Sequence, residues 1–413
     1  MLEIVAVILV LTALLAYLNH RFVGLPATIG IMAIALLLSA ALMGLNALGI
    51  HGMHDAAVTL LRSVDFSRVL MQGMLSILLF AGALHVDLSR LRAFRMQIGM
   101  LAVFGTVIST VVVGALLWLV LPLLGLPLSL TYCMLFGALI SPTDPIAVMG
   151  ILKSAKAPES LEVVIAGESL FNDGVGVVLF ALIAGILVSG STPSAGQAGM
   201  LLLREAGGGI AFGLVLGYIT YRMLASIDSY QEEVLLTLAA VIGGYALASR
   251  LHISGPLAMV VAGLIVGNHG RASAMSDTTR QHVDSFWELL DAILNAVLFM
   301  LIGLEMIVVG MSPMLGVAAV AAIAITLLAR YLSVGMPVAL ARRVAGLPHG
   351  SWQVLTWGGL RGGISVALAL SVPASPEREI LVTLTYAVVV FSILVQGGSI
   401  GTLIRRWIPT TPA

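Results

Sequence analysis

Two carboxylates stand where hydrocarbon is expected. Asp173 lies in the run Gly167-Glu168-Ser169-Leu170-Phe171-Asn172-Asp173-Gly174, with apolar sequence on both sides. Asp144 lies in Ser141-Pro142-Thr143-Asp144-Pro145, inside another apolar segment. Such groups are costly at membrane depth unless paired, protonated or cation-bound, so both are candidates for an ion or proton path. On a helix, Glu168 and Asn172 share one face while Ser169 and Asp173 share the next. Two acids, an amide and a hydroxyl then crowd into little more than one turn. With Thr143 and Asp144 they form an oxygen set suited to a hard alkali cation, without soft sulfur or imidazole. Asp173 is the expected carrier, since one carboxylate holds a cation or a proton but not both strongly. Asp144, Thr143 and Ser169 are the next expected ligands, directly or through water. Glu168 is expected to pair with Arg361, and Asn172 to fix the crossing through its amide.

The elements that hold these residues read as membrane helices. The chain has 413 residues, 60% hydrophobic and 10% charged, against about 25% charged for a soluble domain. Apolar segments give thirteen candidate spans, many of which approach or exceed the roughly 20 residues needed to cross hydrocarbon. They centre on 2–18, 27–44, 69–86, 96–120, 130–151, 162–189, 205–224, 232–249, 254–268, 285–308, 314–341, 352–371 and 380–403. The ninth is short and carries Gly255, Pro256, Gly263 and Gly267, which suit irregular backbone. Residues 45–66, with His51, His54, Asp55, Arg62 and Asp65, read as a loop with a surface helix. Leu2 to Leu18 reads as a retained first span rather than a signal peptide. Twenty basic residues balance twenty acidic ones, so charge suggests no nucleic-acid partner. The single cysteine, Cys133, excludes an intramolecular disulfide. No cofactor and no obligate soluble partner is expected.

Charge sets the expected orientation. With thirteen spans and an outside N-terminus, the cytoplasmic connectors receive Arg21, Arg90, Arg92, Arg95, Lys153, Lys156 and Arg222. They also receive Arg271, Arg280, Arg342, Arg343, Arg405 and Arg406, while the other face receives Arg62, Arg68, Arg204, Arg250 and Arg378. That bias places the C-terminus inside. Arg330 and Arg361 remain within apolar segments; Arg330 reads as a snorkelling or bundle-capping residue, Arg361 as a functional or site-supporting one.

Spans 1–6 and 8–13 pair as two inverted six-helix units linked by span 7, an arrangement common among secondary transporters. Span 5 then matches span 12. The first carries Pro142 and Pro145 around Thr143 and Asp144, which makes continuous helix improbable. The second carries Gly358, Gly359, Gly362 and Gly363 around Arg361, which permits unwinding or close helix approach. Irregular backbone at this depth needs protein or a polar cavity around it. Two broken helices crossing at mid-membrane would place freed carbonyls beside the ion site. The bland reading of the same residues is an internal polar lock with glycine-rich packing.

These motifs resemble monovalent cation:proton antiporter family 1, which includes NhaP-type and NHE sodium/proton exchangers. Thr143-Asp144-Pro145 looks like the family's unwound-helix motif, and Gly167-Glu168-Ser169 with Phe171-Asn172-Asp173-Gly174 looks like its ion-binding helix. Gly359-Leu360-Arg361-Gly362-Gly363 matches the later arginine segment. The resemblance implies an all-α, NhaA/NhaP-like membrane fold and a homodimer among membrane lipids, in a bacterial plasma membrane. It implies interface helices in 1–95 and 225–313, a linking helix in 190–224, and mobile core helices in 96–189 and 314–413. It also implies cation coordination around Thr143, Asp144, Ser169 and Asp173, with Glu168 and Arg361 as a structural ion pair. Asn172 beside Asp173 resembles the electroneutral branch, hence one Na+ or Li+ for one H+. The chain ends soon after Arg405 and Arg406, so the C-terminal regulation of animal relatives is not carried over.

Sodium, lithium and potassium all suit such oxygen ligands, so a K+/H+ antiporter stays open. A passive cation channel predicts flux without a proton gradient, and a scaffold predicts none. Aspartyl proteolysis lacks a Gly-x-Gly-Asp element, and no enzyme activity is expected. Glu305 reads as an access-path residue or a helix cap, and Glu288 and Asp291 as a cation-attracting cytoplasmic entrance. His51, His54, His269 and His282 lie in loops and read as ordinary surface residues.

Overall fold

The computed structural model describes residues 2–63, 69–144, 146–155, 157–189, 195–270, 275–308, 312–341, 347–348 and 350–408. Asp65, Arg68, Pro145, Lys156, Arg271, Arg342 and Arg343 lie outside them, as do the side chains of Arg62 and Lys153.

Every regular element among the described residues is a helix. α1 (Leu2–Val23) and α2 (Ala27–Ala47) lead to α3 (Gly52–Ser63) and the apolar α4 (Val69–Leu84). The turn helix α5 (Leu88–Ala93) precedes α6 (Arg95–Leu124), α7 (Leu130–Ile140), α8 (Ile146–Ser154) and α9 (Glu159–Ser189). Next come α10 (Gly199–Leu224), α11 (Tyr230–Arg250), α12 (Gly255–Gly270) and α13 (Asp277–Glu305). The chain continues through α14 (Pro313–Ala341), α15 (Ser351–Trp357), α16 (Gly363–Ser371) and α17 (Pro376–Trp407).

Local chemistry sets several of these ends. Asp87 accepts the Ser89 and Arg90 amides to start α5, and Ser276 accepts the Thr279 amide to start α13. Ser375 does the same for α17, with Pro376 at its first position, where a missing N–H costs nothing.

Nine helices among the described residues are long and apolar enough to cross a membrane: α1, α2, α6, α9, α10, α11, α13, α14 and α17. This is fewer than the thirteen spans expected. α4, α7 and α12 are apolar but shorter, and α15 and α16 are two pieces separated by irregular backbone. The surface helix expected in 45–66 is α3, at 12 residues too short to cross. Large apolar side chains face outward all along the long helices, among them Leu9, Leu37, Leu214 and Leu235. A helix apolar on every side is at home in lipid. The chain is a multi-pass α-helical membrane protein.

The helices pack as two groups. α6 lies along α7 and α14, α9 along α7, and α17 along α14 and α16. In the second group α12 is wrapped by α4, α10 and α11, while α13 runs along α2. The groups meet where α9 passes α12 and where α16 touches α4 and α13. Without a hydrophobic drive in lipid, such contacts depend on close backbone approach at small residues. Gly137 of α7 shows the limit: a Cβ there would overlap the Thr110 carbonyl of α6. Gly137→Val should therefore cost about 1–3 kcal/mol or more. Its unfolding temperature in detergent should fall, whereas Gly185→Ala, whose Cβ would meet nothing within 4 Å, should hold or rise.

Candidate ion-binding site

Two interruptions face each other inside the first group. α7 stops at Ile140 because Pro142 lacks the N–H that would continue the helical ladder, although Ser141 itself keeps helical backbone angles. Ser141 to Asp144 are irregular chain, and α8 begins at Ile146. α15 stops at Trp357, and Gly358 to Gly362 run irregularly before α16. The two stretches touch directly, the Asp144 amide donating to the Leu360 carbonyl at 2.8 Å. Gly362 permits this approach, since a Cβ there would overlap the Asp144 carboxylate. Both helices expected to be broken are broken, at the expected residues, and the breaks meet.

The freed carbonyls find charged donors. The Arg361 guanidinium donates Nη1 to the Ser141 and Pro142 carbonyls, the second at 2.8 Å. Its backbone amide donates to Ser392 Oγ at 2.8 Å, at the start of a widened π-helical turn over Ser392–Gly397 in α17. Gln396, in the same turn, donates to the Trp357 carbonyl at 2.9 Å. Arg330 of α14 donates Nη2 to the Leu355 carbonyl at 3.0 Å. Cations at helix C-termini also offset the negative end of the helix dipole.

Glu168 corrects the sequence-based expectation. Its partner is Arg330, in a two-pronged pair of Nη1 with Oε1 and Nη2 with Oε2, the latter at 2.8 Å. Arg361 is committed to the α7 carbonyls instead. Gly359 supplies the space, because a Cβ there would overlap the Arg330 guanidinium. Both partners are buried, which argues against snorkelling by Arg330. The sequence did hold a signal: two arginines inside apolar segments each needed acceptors, and Glu168 offered only one pairing.

Asn172 ties the first break to α9. Its Oδ1 accepts the Thr143 amide at 3.2 Å, and its Nδ2 donates to Thr143 Oγ1 at 2.8 Å. The same nitrogen lies 3.4 Å from Glu168 Oε1. Ser169 Oγ and Thr143 Oγ1 are 2.9 Å apart and both buried.

Asp173, Asp144 and Thr143 line one cavity with about 730 Å³ of empty space. Other walls come from α4 through Leu75 and Leu79, from α13 through Asp291 and Asn295, and from α16 through Ser365. Ser169 does not line it and reaches it only through Thr143. Asp291, expected at an entrance, stands in the cavity wall with Asp144 and Asp173. Glu288 is exposed nearer the start of α13, and Glu305 is half-buried at its far end; neither lines the cavity. Asn295 was not singled out from sequence, because one amide in a long amphipathic helix carries no mark. Its Nδ2 donates to the Asp291 carbonyl at 2.9 Å, while its Oδ1 is buried without a partner among the described residues.

Residues 10–406 match the sodium/hydrogen exchanger transmembrane family. The chain belongs to that family. It is 55% identical over 410 residues to the Na(+)/H(+) antiporter NhaP of Pseudomonas aeruginosa, covering 98% of this chain and 97% of the relative. It is 35% identical over 380 residues to the Na(+)/H(+) antiporter NhaH of Halobacillus dabanensis, with 91% of each chain covered. The structure of the sodium proton antiporter MjNhaP1 from Methanocaldococcus jannaschii superposes with a TM-score of 0.77 over 98% of each chain, at 19% identity. The fold is therefore shared with that archaeal protein well beyond obvious sequence likeness.

The Glu168–Arg330 pair should be visible in unfolding energetics. Arg330→Gln leaves a buried carboxylate without its cation and should cost about 3–5 kcal/mol. Adding Glu168→Gln should restore much of that, whereas Glu168→Gln and Arg361→Gln should couple much more weakly in detergent unfolding. Strong coupling to Arg361 with none to Arg330 would reverse the assignment.

Proposed function

We propose that this chain exchanges Na+ or Li+ for H+ across a bacterial plasma membrane, with the Asp173 carboxylate taking ion and proton in turn. The observation that carries the reading is the cavity in which Asp173 and Asp144 stand beside two crossed helix breaks, in a member of the exchanger family. Asp173, Asp144 and Thr143 Oγ1 supply hard oxygen, and Ser169 extends the set behind Thr143. Asn172 and the Glu168–Arg330 pair hold α9 against the breaks, and Arg361 holds the end of α7. Asp291 extends the negative wall toward the rest of the access path. With Asn172 beside it, Asp173 is the lone acid at that position, which supports one ion for one proton and electroneutral exchange.

The crossing count behind this reading is thirteen. It adds α4, α12, α7 continued through α8, and α15 continued through α16 to the nine long helices. Two inverted six-helix repeats then place the breaks in corresponding helices. The N-terminus is outside and the C-terminus inside. The group holding α6, α7, α9, α14, α16 and α17 moves as a core against the helices around α12 and α13, which form a homodimer interface. Moving the core exposes the cavity to each side alternately.

Purified protein in sealed liposomes tests the proposal. Adding sodium or lithium outside should shift internal pH, and Asp173→Asn should reduce the response to that of protein-free liposomes. Wild-type exchange surviving in D173N would overturn the role of Asp173. A potassium and valinomycin voltage clamp should leave sodium-driven proton flux unchanged; a flux that follows the imposed potential would overturn the one-to-one ratio.

A further inference from the structure

A second and larger cavity opens between the two helix groups, away from the carboxylates. It is an open groove with about 1970 Å³ of empty space. One wall is α6 and α9, through Val103, Val107, Phe171 and Val178; the other is α10 and α12, through Ile210 and Leu257. Its composition is polarised. Nearly the whole length is apolar, and the polar lining is Ser89, Arg92, Arg95 and His269. Arg92 and Arg95 sit where α5 gives way to α6, at one end of a membrane-length helix. Twelve residues of helix separate Arg95 from Val107, a groove length on the order of 18 Å.

The charge at that end is not consumed locally. The neighbouring carboxylates Asp87 and Glu159 both pair with Arg90. Arg92 and Arg95 are exposed and have no ion-pair partner among the described residues. Two unpaired guanidiniums above a long apolar channel match a molecule with an anionic head and a hydrocarbon tail. A free phosphate would leave the channel unused. A peptide would bring backbone polar groups into a wall that offers them no partners.

We propose that this groove is a binding site for an anionic phospholipid. Its phosphate is held by Arg92 and Arg95, and an acyl chain lies between α6 and α9 on one side and α10 and α12 on the other. Guanidinium forks suit phosphate oxygens. Phe171 and Val175 of the lining belong to the same turns of α9 as Asn172 and Asp173, so the lipid would border the helix that carries the ion site.

Native mass spectrometry of the purified full chain tests this, after additions of phosphatidylglycerol or phosphatidylcholine. Phosphatidylglycerol should be retained in preference. Arg92→Gln with Arg95→Gln should weaken its retention roughly tenfold to thirtyfold, at about one factor of five per arginine. Arg405→Gln with Arg406→Gln, which removes the same charge from exposed positions of α17, should leave retention intact. Val103→Trp keeps both arginines and fills the channel, and should also release the lipid; Val107→Trp serves if that chain does not fold. Equal retention of both lipids would overturn the proposal. So would an equal loss in the α17 variant, or undiminished retention with the channel filled. The readout is independent of transport, so it stands or falls apart from the exchange assay.

Discussion

Backbone that leaves a helix inside a membrane must find hydrogen-bond partners without water, and this fold is arranged around that requirement. α7 and α15 both end in the interior, leaving the carbonyls of Ser141, Pro142, Leu355, Trp357 and Leu360 without helical donors. Each is met: two by Arg361, one by Arg330, one by Gln396 and one by the Asp144 amide. Two buried guanidiniums thus serve as helix caps as much as counter-ions. Arg330 comes from α14 and Gln396 from α17, Arg361 and the Asp144 amide come from the breaks themselves, and Asn172 ties in α9, so the breaks bind α9, α14 and α17 into one unit.

The two breaks reach the same end by different chemistry. Proline at 142 removes a donor and forces the chain out of helix, while glycines at 359 and 362 remove side-chain bulk where Arg330 and Asp144 must pass. A side chain at 362 would overlap the Asp144 carboxylate that the proline break sets free of helix. Together the two breaks let a carboxylate lie against backbone beside Asp173, at the edge of a cavity. The Glu168–Arg330 pair is set back from that cavity and neutralised, which keeps the charge that joins α9 to α14 apart from the Asp144 and Asp173 carboxylates in the cavity wall.

Much of this was legible in the residues themselves. Asp173 and Asp144 stood out as carboxylates without an aqueous setting, and Pro142 and Gly359 to Gly363 marked where helices fail. The spacing of Glu168, Ser169, Asn172 and Asp173 placed them on adjoining faces of one helix, and the contacts with Thr143 follow from it. Less legible was which arginine serves which acceptor. Pairing across helices depends on axial offset and rotation, and neither is written in the order of one segment. Fewer helices are long enough to cross than there are apolar segments. In α7–α8 and α15–α16 interrupted backbone shortens the helices without making the segment less apolar, while α4 and α12 are simply short.

The sequence by itself determined composition, solvent and the location of strain: apolar runs choose lipid, and proline and glycine choose where helix stops. It also determined which groups could bind a hard cation, because chemistry at that level belongs to single side chains. Only the tertiary structure decided that Arg330 takes Glu168, that Arg361 caps α7, and that Asp291 and Asn295 share a cavity with Asp173. Those outcomes depend on how rigid helices settle against one another at small residues such as Gly137. A packing angle is a property of two surfaces together and not of either sequence alone.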